Sequence, residues 1–300
     1  MMYDIPVTLI MFNRPDTLME VFEEIRRVQP AKLYVICDGP REGREDDRLK
    51  VAQCRSYVES HIDWDCELHR VYAEKNMGCR DRVYTGISEV LKHESSTVIL
   101  EDDVVPAPAF FPYMRQMLRA YADDKKVMMV SGTNLVRDYR MPGPYCFSCF
   151  SSIWGWGTWA RAWKLYDVDV KDWPQRKKDR SLVGVYGLLS YPFLKLDVER
   201  VYTKQKDTWD IQWDYCRHVH RGLGIVPREN LVRNIGFERE DATHTKGETH
   251  EDFSYGDMKL PLPENLPIVR DRDYDRAYLK KYFGVGKVLN FVEKKLKGQS

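Results

Sequence analysis

The stretch TVILEDDVVP, residues Thr97 to Pro106, decides how this chain is read. An apolar run of strand type, Thr97 to Leu100, leads directly into three carboxylates, Glu101, Asp102 and Asp103. Two like charges about 4 Å apart repel by roughly 4 kcal/mol at an effective dielectric of about 20, so three in succession need open solvent or a cation. On a strand, Glu101 and Asp103 face one way and Asp102 the other. One carboxylate can then hold a metal while its neighbour takes a hydroxyl. Mg²⁺ and Mn²⁺ are hard cations that accept one or two carboxylates together with phosphate oxygens. The plainer reading is a solvated acidic turn ahead of a helix starting near Pro108, because acidic side chains favour helix N-termini. The flanking sequence has to decide between the two.

Upstream, strands and helices alternate. Ile5 to Phe12 is a continuous apolar run, as expected for a strand buried on both faces. Pro15 opens a helix, with Leu18, Val21, Phe22 and Ile25 at helical spacing. Strands are predicted at 32–37 and 68–72, and helices over about 46–59 and 82–91. Beyond the acidic cluster a helix is predicted over 110–121 and a strand over 127–130. This alternation implies βαβ units and an α/β fold with a mostly parallel central sheet flanked by helices. In such sheets ligands bind outside the carboxyl ends of the strands. Four predicted strand ends are polar: Asn13-Arg14, Asp38-Gly39, Asn76-Met77-Gly78 and Glu101-Asp102-Asp103. Their convergence on one edge favours a ligand site over a solvated turn.

After Gly132 the alternation stops. Residues 139–163 are rich in Gly, Pro, Ser and Trp, and read as a loop carrying Trp154, Trp156 and Trp159. Tryptophans are more often core than ligand platforms. Here their alternation with Gly155 and Gly157 favours a loop whose aromatic faces meet a sugar. Helical patterns return over 181–205 and 209–220, with short strands at 224–226 and 231–234. The expected organisation is an α/β half over 1–135, a second half of the same domain over 136–262 and a basic helical tail over 263–300.

At this point the residues resemble a known family. The order NRPDTL (13–18), CDGPR (37–41), Glu74, Asn76 and Gly78, then ILEDDVVP (99–106) resembles glycosyltransferases of the GT-A fold. Bacterial family-two-like enzymes and the N-acetylglucosaminyltransferase I group are the relatives meant. A Gly155-Trp156-Gly157 segment, a Trp209-Asp210 pair and a strand region near Gly224–Asn230 extend the likeness over roughly residues 4 to 246. The resemblance implies a metal-dependent, inverting transfer from a nucleoside-diphosphate sugar, with a UDP-sugar favoured, to a glycan or lipid-linked acceptor. It implies nucleotide contacts from Arg14, Asp38, Asn76, Arg80 and Asp102, and metal contacts from Asp103 and His244. Glu101 would lie near the donor sugar, and Trp154, Trp156 and Trp209 near the acceptor. Asp210 would be the general base, although Asp214, four residues on, shares its helical face. Mn²⁺ or Mg²⁺ is the implied cofactor, and polysaccharide biosynthesis in bacteria the implied setting.

Composition bounds the alternatives. Lys and Arg number 47 against 46 Asp and Glu, so the chain lacks the basic excess of a nucleic-acid binder. The seven cysteines form no framework, and Cys146-Phe147-Ser148-Cys149, without a second pair, reads as structural. No run reads as a transmembrane span of about 20 apolar residues. The N-terminus reads as a strand and not a signal peptide, so the expected location is the cytoplasm, up to the inner face of the membrane. In the tail, Val285, Val288, Leu289, Val292 and Leu296 form a helical stripe beside Lys287, Lys294, Lys295 and Lys297. Residues 275–297 thus suit anionic lipid and docking on their own domain equally. A nucleotidyltransferase is the enzymatic alternative. It would carry a Gly-rich loop after the first strand, where Asn13-Arg14-Pro15-Asp16 stands instead. A carbohydrate-binding module would leave Asp38 and the acidic cluster unexplained.

Overall fold

The apolar runs become a buried sheet. In this computed structural model, which describes residues 2–236, 255–264 and 266–284, the first half of the chain runs β1 (Val7–Met11), α1 (Pro15–Val28), β2 (Lys32–Cys37), α2 (Glu45–Ser60), β3 (Glu67–Tyr72), α3 (Cys79–His93) and β4 (Ser96–Glu101). All five residues of β1 are buried, as a strand covered on both faces requires. Pro15 stands in the first turn of α1, and the helix buries Leu18, Val21, Phe22 and Ile25 on one stripe. Each such side chain contributes about 1.5–3 kcal/mol when fully buried. Gln29, in the left-handed region at φ 48°, ends the helix.

The second half adds β5 (Val104–Pro106), α4 (Phe110–Ala120), β6 (Val127–Ser131), β7 (Tyr145–Ser148), β8 (Trp156–Trp159), α5 (Ala160–Trp163), α6 (Trp173–Asp179), α7 (Val183–Tyr202), α8 (Asp210–Val219), β9 (Leu223–Pro227), β10 (Val232–Asn234) and α9 (Arg272–Phe283). Eight strands share one sheet in the order β3-β2-β1-β4-β8-β6-β9-β7, and β5 pairs with β10. The pairings β1–β2, β1–β4, β2–β3 and β6–β9 are parallel. β8 runs antiparallel between β4 and β6, and β7 antiparallel to β9.

Two cores face the sheet from opposite sides. Leu9, Val35 and Leu100 pack with α1 and α4, whereas Ile10, Ile36 and Ile99 pack with α3 and a cluster of Trp156, Trp163, Trp209 and Trp213. Successive strand residues point to opposite faces, so one strand feeds both layers.

The Trp-rich segment differs from its expectation as a loop. Trp156 to Trp159 forms β8 inside the sheet, with Trp156 fully buried. A Cβ on Gly157 would meet Leu118 side-chain atoms at 3.1 and 3.2 Å and the Thr97 carbonyl at 3.3 Å. The glycine therefore serves close packing of α4 over β8 rather than loop freedom.

The chain begins at β1, moves outward through β2 and β3, then returns to place β4 on the other side of β1. The loops leaving β1 and β4 diverge there and open a crevice, the usual ligand position in such sheets. Helix α9 packs on β7. Tyr274 and Asp275 are buried, and Asp275 accepts from the Ser148 hydroxyl at 2.5 Å and the Cys149 N–H at 3.3 Å. The 285–297 stripe of apolar and basic residues lies outside the described residues, as does His244. Among the described residues no helix is long and apolar enough to cross a membrane. All seven cysteines are free thiols, with Cys146 and Cys149 buried.

Candidate active site

A cleft of about 660 Å³ opens where β1 and β4 end, within the usual range of about 300–1,000 Å³ for small-molecule sites. All four polar strand ends reach it: Asn13 and Arg14, Asp38, Asn76 and Gly78, and Glu101 to Asp103. The far wall comes from the 207–210 segment at the start of α8, with Ile153 and Trp154 beside it.

The acidic cluster divides its work. One Asp102 oxygen accepts the Phe12 N–H at 3.0 Å, tying the end of β4 to the end of β1. Arg14 donates to Asp103 at 3.0 Å. Gly236 passes so near that a Cβ there would stand 2.3 Å from an Asp103 oxygen. Only glycine allows the backbone that close, and Gly236 is the last described residue before the segment holding His244. Glu101 is pushed up to about 8, first by burial, then by the charges of Asp103, Asp102 and Asp210, with Arg14 opposing. Crowding of this kind marks a place that favours a cation or a proton.

Asp38 has a structural task. Its carboxylate accepts N–H bonds from Gly39 at 2.8 Å, Met77 at 2.9 and 3.1 Å and Gly78 at 3.1 Å, and one from the Asn76 amide at 3.0 Å. Burial pushes its pKa up, and the backbone donors and Arg82 oppose. Asp38 and Asn76, expected as nucleotide ligands, thus spend much of their bonding capacity clamping the 76–78 turn to the end of β2.

Arg80, also expected at the nucleotide, does not line the cleft. Its guanidinium donates to Asp169 at 2.5 Å, Asp81 at 2.8 Å and the Val168 carbonyl at 3.3 Å. Arg82, two residues on, faces the cleft instead. It is buried, its Nε has no partner, and its NH1 reaches only the Met77 sulfur at 3.7 Å. Burial pulls the guanidinium below its ordinary value while Asp38 opposes. A buried cation with an unfilled donor is suited to an anionic ligand.

At the N-terminus of α3 the Asp207 carboxylate accepts the Cys79 N–H at 3.1 Å and the Arg80 N–H at 2.9 Å. Sequence reading passed over Asp207 because its partners lie 128 and 127 positions away. Asp210 lines the cleft and accepts from the Thr208 hydroxyl. Asp214 does not line it, and pairs with Arg217 at 2.5 Å. Of the two aspartates, Asp210 is the one that reaches the cleft.

Of the three tryptophans expected at the acceptor, Trp154 and Trp209 line the cleft and Trp156 does not. Trp156 lies beneath Trp209, with ring centroids 5.6 Å apart, and supports it from the core.

Asp103 with a neighbouring carboxylate and a ligand diphosphate is a donor set that suits Mn²⁺ or Mg²⁺. Among the described residues no three His, Cys, Asp or Glu side chains form a metal-binding group by themselves.

No protein-family model matches the chain, and no curated protein matches it. Among solved structures, it is similar to the mannose-1-phosphate geranyltransferase of Thermus thermophilus, at 14% identity and TM-score 0.38, over 75% of this chain and 74% of that one. It is similar to the 4-diphosphocytidyl-2C-methyl-D-erythritolsynthase of Anaerococcus prevotii, at 11% identity and TM-score 0.31, over 54% of this chain and 75% of that one. It is also similar to the inositol-1-phosphate CTP transferase of T. maritima, at 8% identity and TM-score 0.31, over 55% of this chain and 74% of that one. At these identities the likeness concerns the α/β fold alone.

Proposed function

We propose that the cleft binds a nucleoside-diphosphate sugar, with a UDP-sugar favoured, and transfers the sugar to a hydroxyl of a glycan or lipid-linked acceptor. The observation that carries this reading is that Asp210 stands in the same cleft as the Glu101–Asp103 cluster, near enough for its charge to help raise Glu101. Arg14 and Arg82 bind the diphosphate. Phe12, with the Arg41 guanidinium 5.6 Å from its ring centre, forms the lip beside it. Asp103 together with the diphosphate would hold Mn²⁺ or Mg²⁺, and the ion would supply positive charge against the departing diphosphate. Asp210 accepts the proton of the acceptor hydroxyl as its oxygen attacks the anomeric carbon. The oxygen attacks in line, from the face opposite the diphosphate, so that the bond from that carbon to the diphosphate breaks as the new one forms and the centre is inverted, the proton passing to Asp210. Thr208 holds the Asp210 carboxylate in place through its hydroxyl. Trp154 and Trp209 offer aromatic faces to the acceptor sugar.

Nucleotidyl transfer from a nucleoside triphosphate to a sugar phosphate is the second reading. Arg14, Arg41, Arg44, Lys50 and Arg82 all line the cleft, a cationic set rich enough for a triphosphate. Against it stands the turn after β1, where Pro15 and the side chains of Asn13 and Arg14 occupy the place of a phosphate-cradling glycine loop.

Two product assays separate the readings. Glycosyl transfer predicts slow release of nucleoside diphosphate from a UDP-sugar with Mn²⁺, lowered roughly 10²–10⁴-fold in Asp210→Asn. Pyrophosphate release from a nucleoside triphosphate and a sugar 1-phosphate, with no hydrolysis of any UDP-sugar, would replace it with nucleotidyl transfer.

A further inference from the structure

Helix α7 shows an apolar face to solvent. From Ser181 to Leu194 the sequence has no charged residue. Leu182, Tyr186, Ser190, Tyr191 and Leu194 are buried against the domain. The exposed positions between them are Gly184, Gly187, Leu188, Leu189 and Pro192. Leu188 is 77% exposed and Leu189 65%. A helix with one face on the core ordinarily carries polar side chains on the other; from Val183 to Leu194 none of the exposed positions is polar. Gly187, at φ 73° and ψ 167°, breaks the helix and places the two leucines at the corner. A Cβ on Gly184 or Gly187 would meet nothing within 4 Å, so the corner projects into open space.

The sequence on both sides of this stretch is basic. Arg176, Lys177 and Lys178 end α6, Arg180 follows, and Lys195 lies beyond the apolar stretch. Asp179 is the one carboxylate between Arg176 and Lys195 in the sequence. Arg176 and Lys177 pair with Asp172 and Glu199, while Lys178 and Arg180, before the apolar stretch in sequence, and Lys195, after it, are exposed.

We infer that the α6–α7 corner docks on an anionic lipid bilayer, Leu188 and Leu189 entering the interface and the cations meeting headgroup phosphates. Apolar insertion combined with basic flanks is the usual physics of peripheral membrane attachment. Charge separates this occupant from a second copy of the chain: pairing two such corners would set cations against cations, whereas an anionic surface neutralises them. Helix α7 also packs on α8, whose first residue is the cleft's Asp210. Docking would thus hold the base wall of the cleft next to the membrane. The inference stands whichever transfer the cleft performs.

Vesicle flotation of the full chain tests it, with phosphatidylcholine alone and with phosphatidylglycerol added. Wild type should float with the anionic vesicles and lose binding as salt rises. The double variant Leu188→Glu/Leu189→Glu should float about tenfold less or lower still, with an unchanged melting temperature. Lys178→Glu/Arg180→Glu should float less and lose the salt dependence. Three results would overturn it: no flotation of folded wild type, flotation of the leucine variant equal to wild type, or a wild-type dimer that the leucine variant dissolves.

Discussion

Replacing Glu101 by Gln should make the metal-free protein more stable, and the gain should depend on pH. Glu101 stands at about 8 in the fold against an ordinary 4.5, because burial and three neighbouring carboxylates oppose its charge. The folded state therefore holds a proton that the unfolded chain releases. The stability this contributes is fully present below about pH 4.5 and is lost as pH rises through 8. At pH 7, where the folded protein keeps the proton and the unfolded chain has lost it, about 3 kcal/mol of this stability is gone, at 1.36 kcal/mol per pH unit over most of the interval. Gln keeps the shape and removes the charge. Glu101→Gln should gain about 3 kcal/mol at pH 7, roughly 5 °C in melting temperature for a chain of this size. The gain should shrink toward zero at pH 4.5 and approach about 5 kcal/mol above pH 8. Thermal melts of both proteins in chelator, across pH 4.5 to 8.5, measure the difference. A difference that does not change with pH, or a variant less stable than wild type at pH 7, would refute the crowding of carboxylates at this strand end.

Arg82→Gln should weaken UDP binding roughly 10- to 100-fold, the value of a hydrogen bond to a charged group. It should leave the melting temperature equal or higher, because the buried guanidinium has an unpartnered Nε; calorimetric titration and a thermal melt check both. His218, whose Nε2 donates to the Cys149 carbonyl at 2.9 Å and whose Nδ1 accepts from Tyr186 at 3.0 Å, is pulled down to about 3 by burial, with Arg217 adding to the effect. Its contribution is present above about pH 6.5 and lost as pH falls toward 3, about 2 kcal/mol by pH 5. Urea melts of His218→Gln should show that slope flattened relative to wild type. Trp156→Ala should cost roughly 3–5 kcal/mol of stability, whereas Trp154→Ala should leave stability within about 1 kcal/mol and raise the acceptor KM. Equal melting temperatures for these two variants would contradict their placement in core and cleft.

Most of the sheet was legible because its signals are local. Pro15, the helical stripe from Leu18 to Ile25 and the apolar run before Glu101 each act within a few residues. The convergence of four strand ends then followed from the behaviour of parallel sheets. The Trp156 segment was misread because a strand buried on both faces has no polar alternation, and its glycines suggest a loop until Leu118 and Thr97 are seen beside Gly157. Insertion of β8 between β4 and β6 depends on contacts far apart in sequence, which no local pattern announces. Arg80 was expected at the nucleotide and Arg82 was not; residues two apart on a helix point to different faces, and only the fold shows that Asp169 engages Arg80 while Arg82 lines the cleft. Asp38 was recognised as belonging to the cleft edge, but its service to three backbone N–H groups shows only in the 76–78 turn.

The most direct test of a nucleotide site between β1 and β4 is calorimetric titration of UDP into the full chain, with and without Mn²⁺, on wild type and Asp103→Ala. Manganese-dependent binding that disappears in Asp103→Ala is the predicted result. Equal UDP binding by the two proteins, unaffected by Mn²⁺, or no binding to folded wild type, would contradict it.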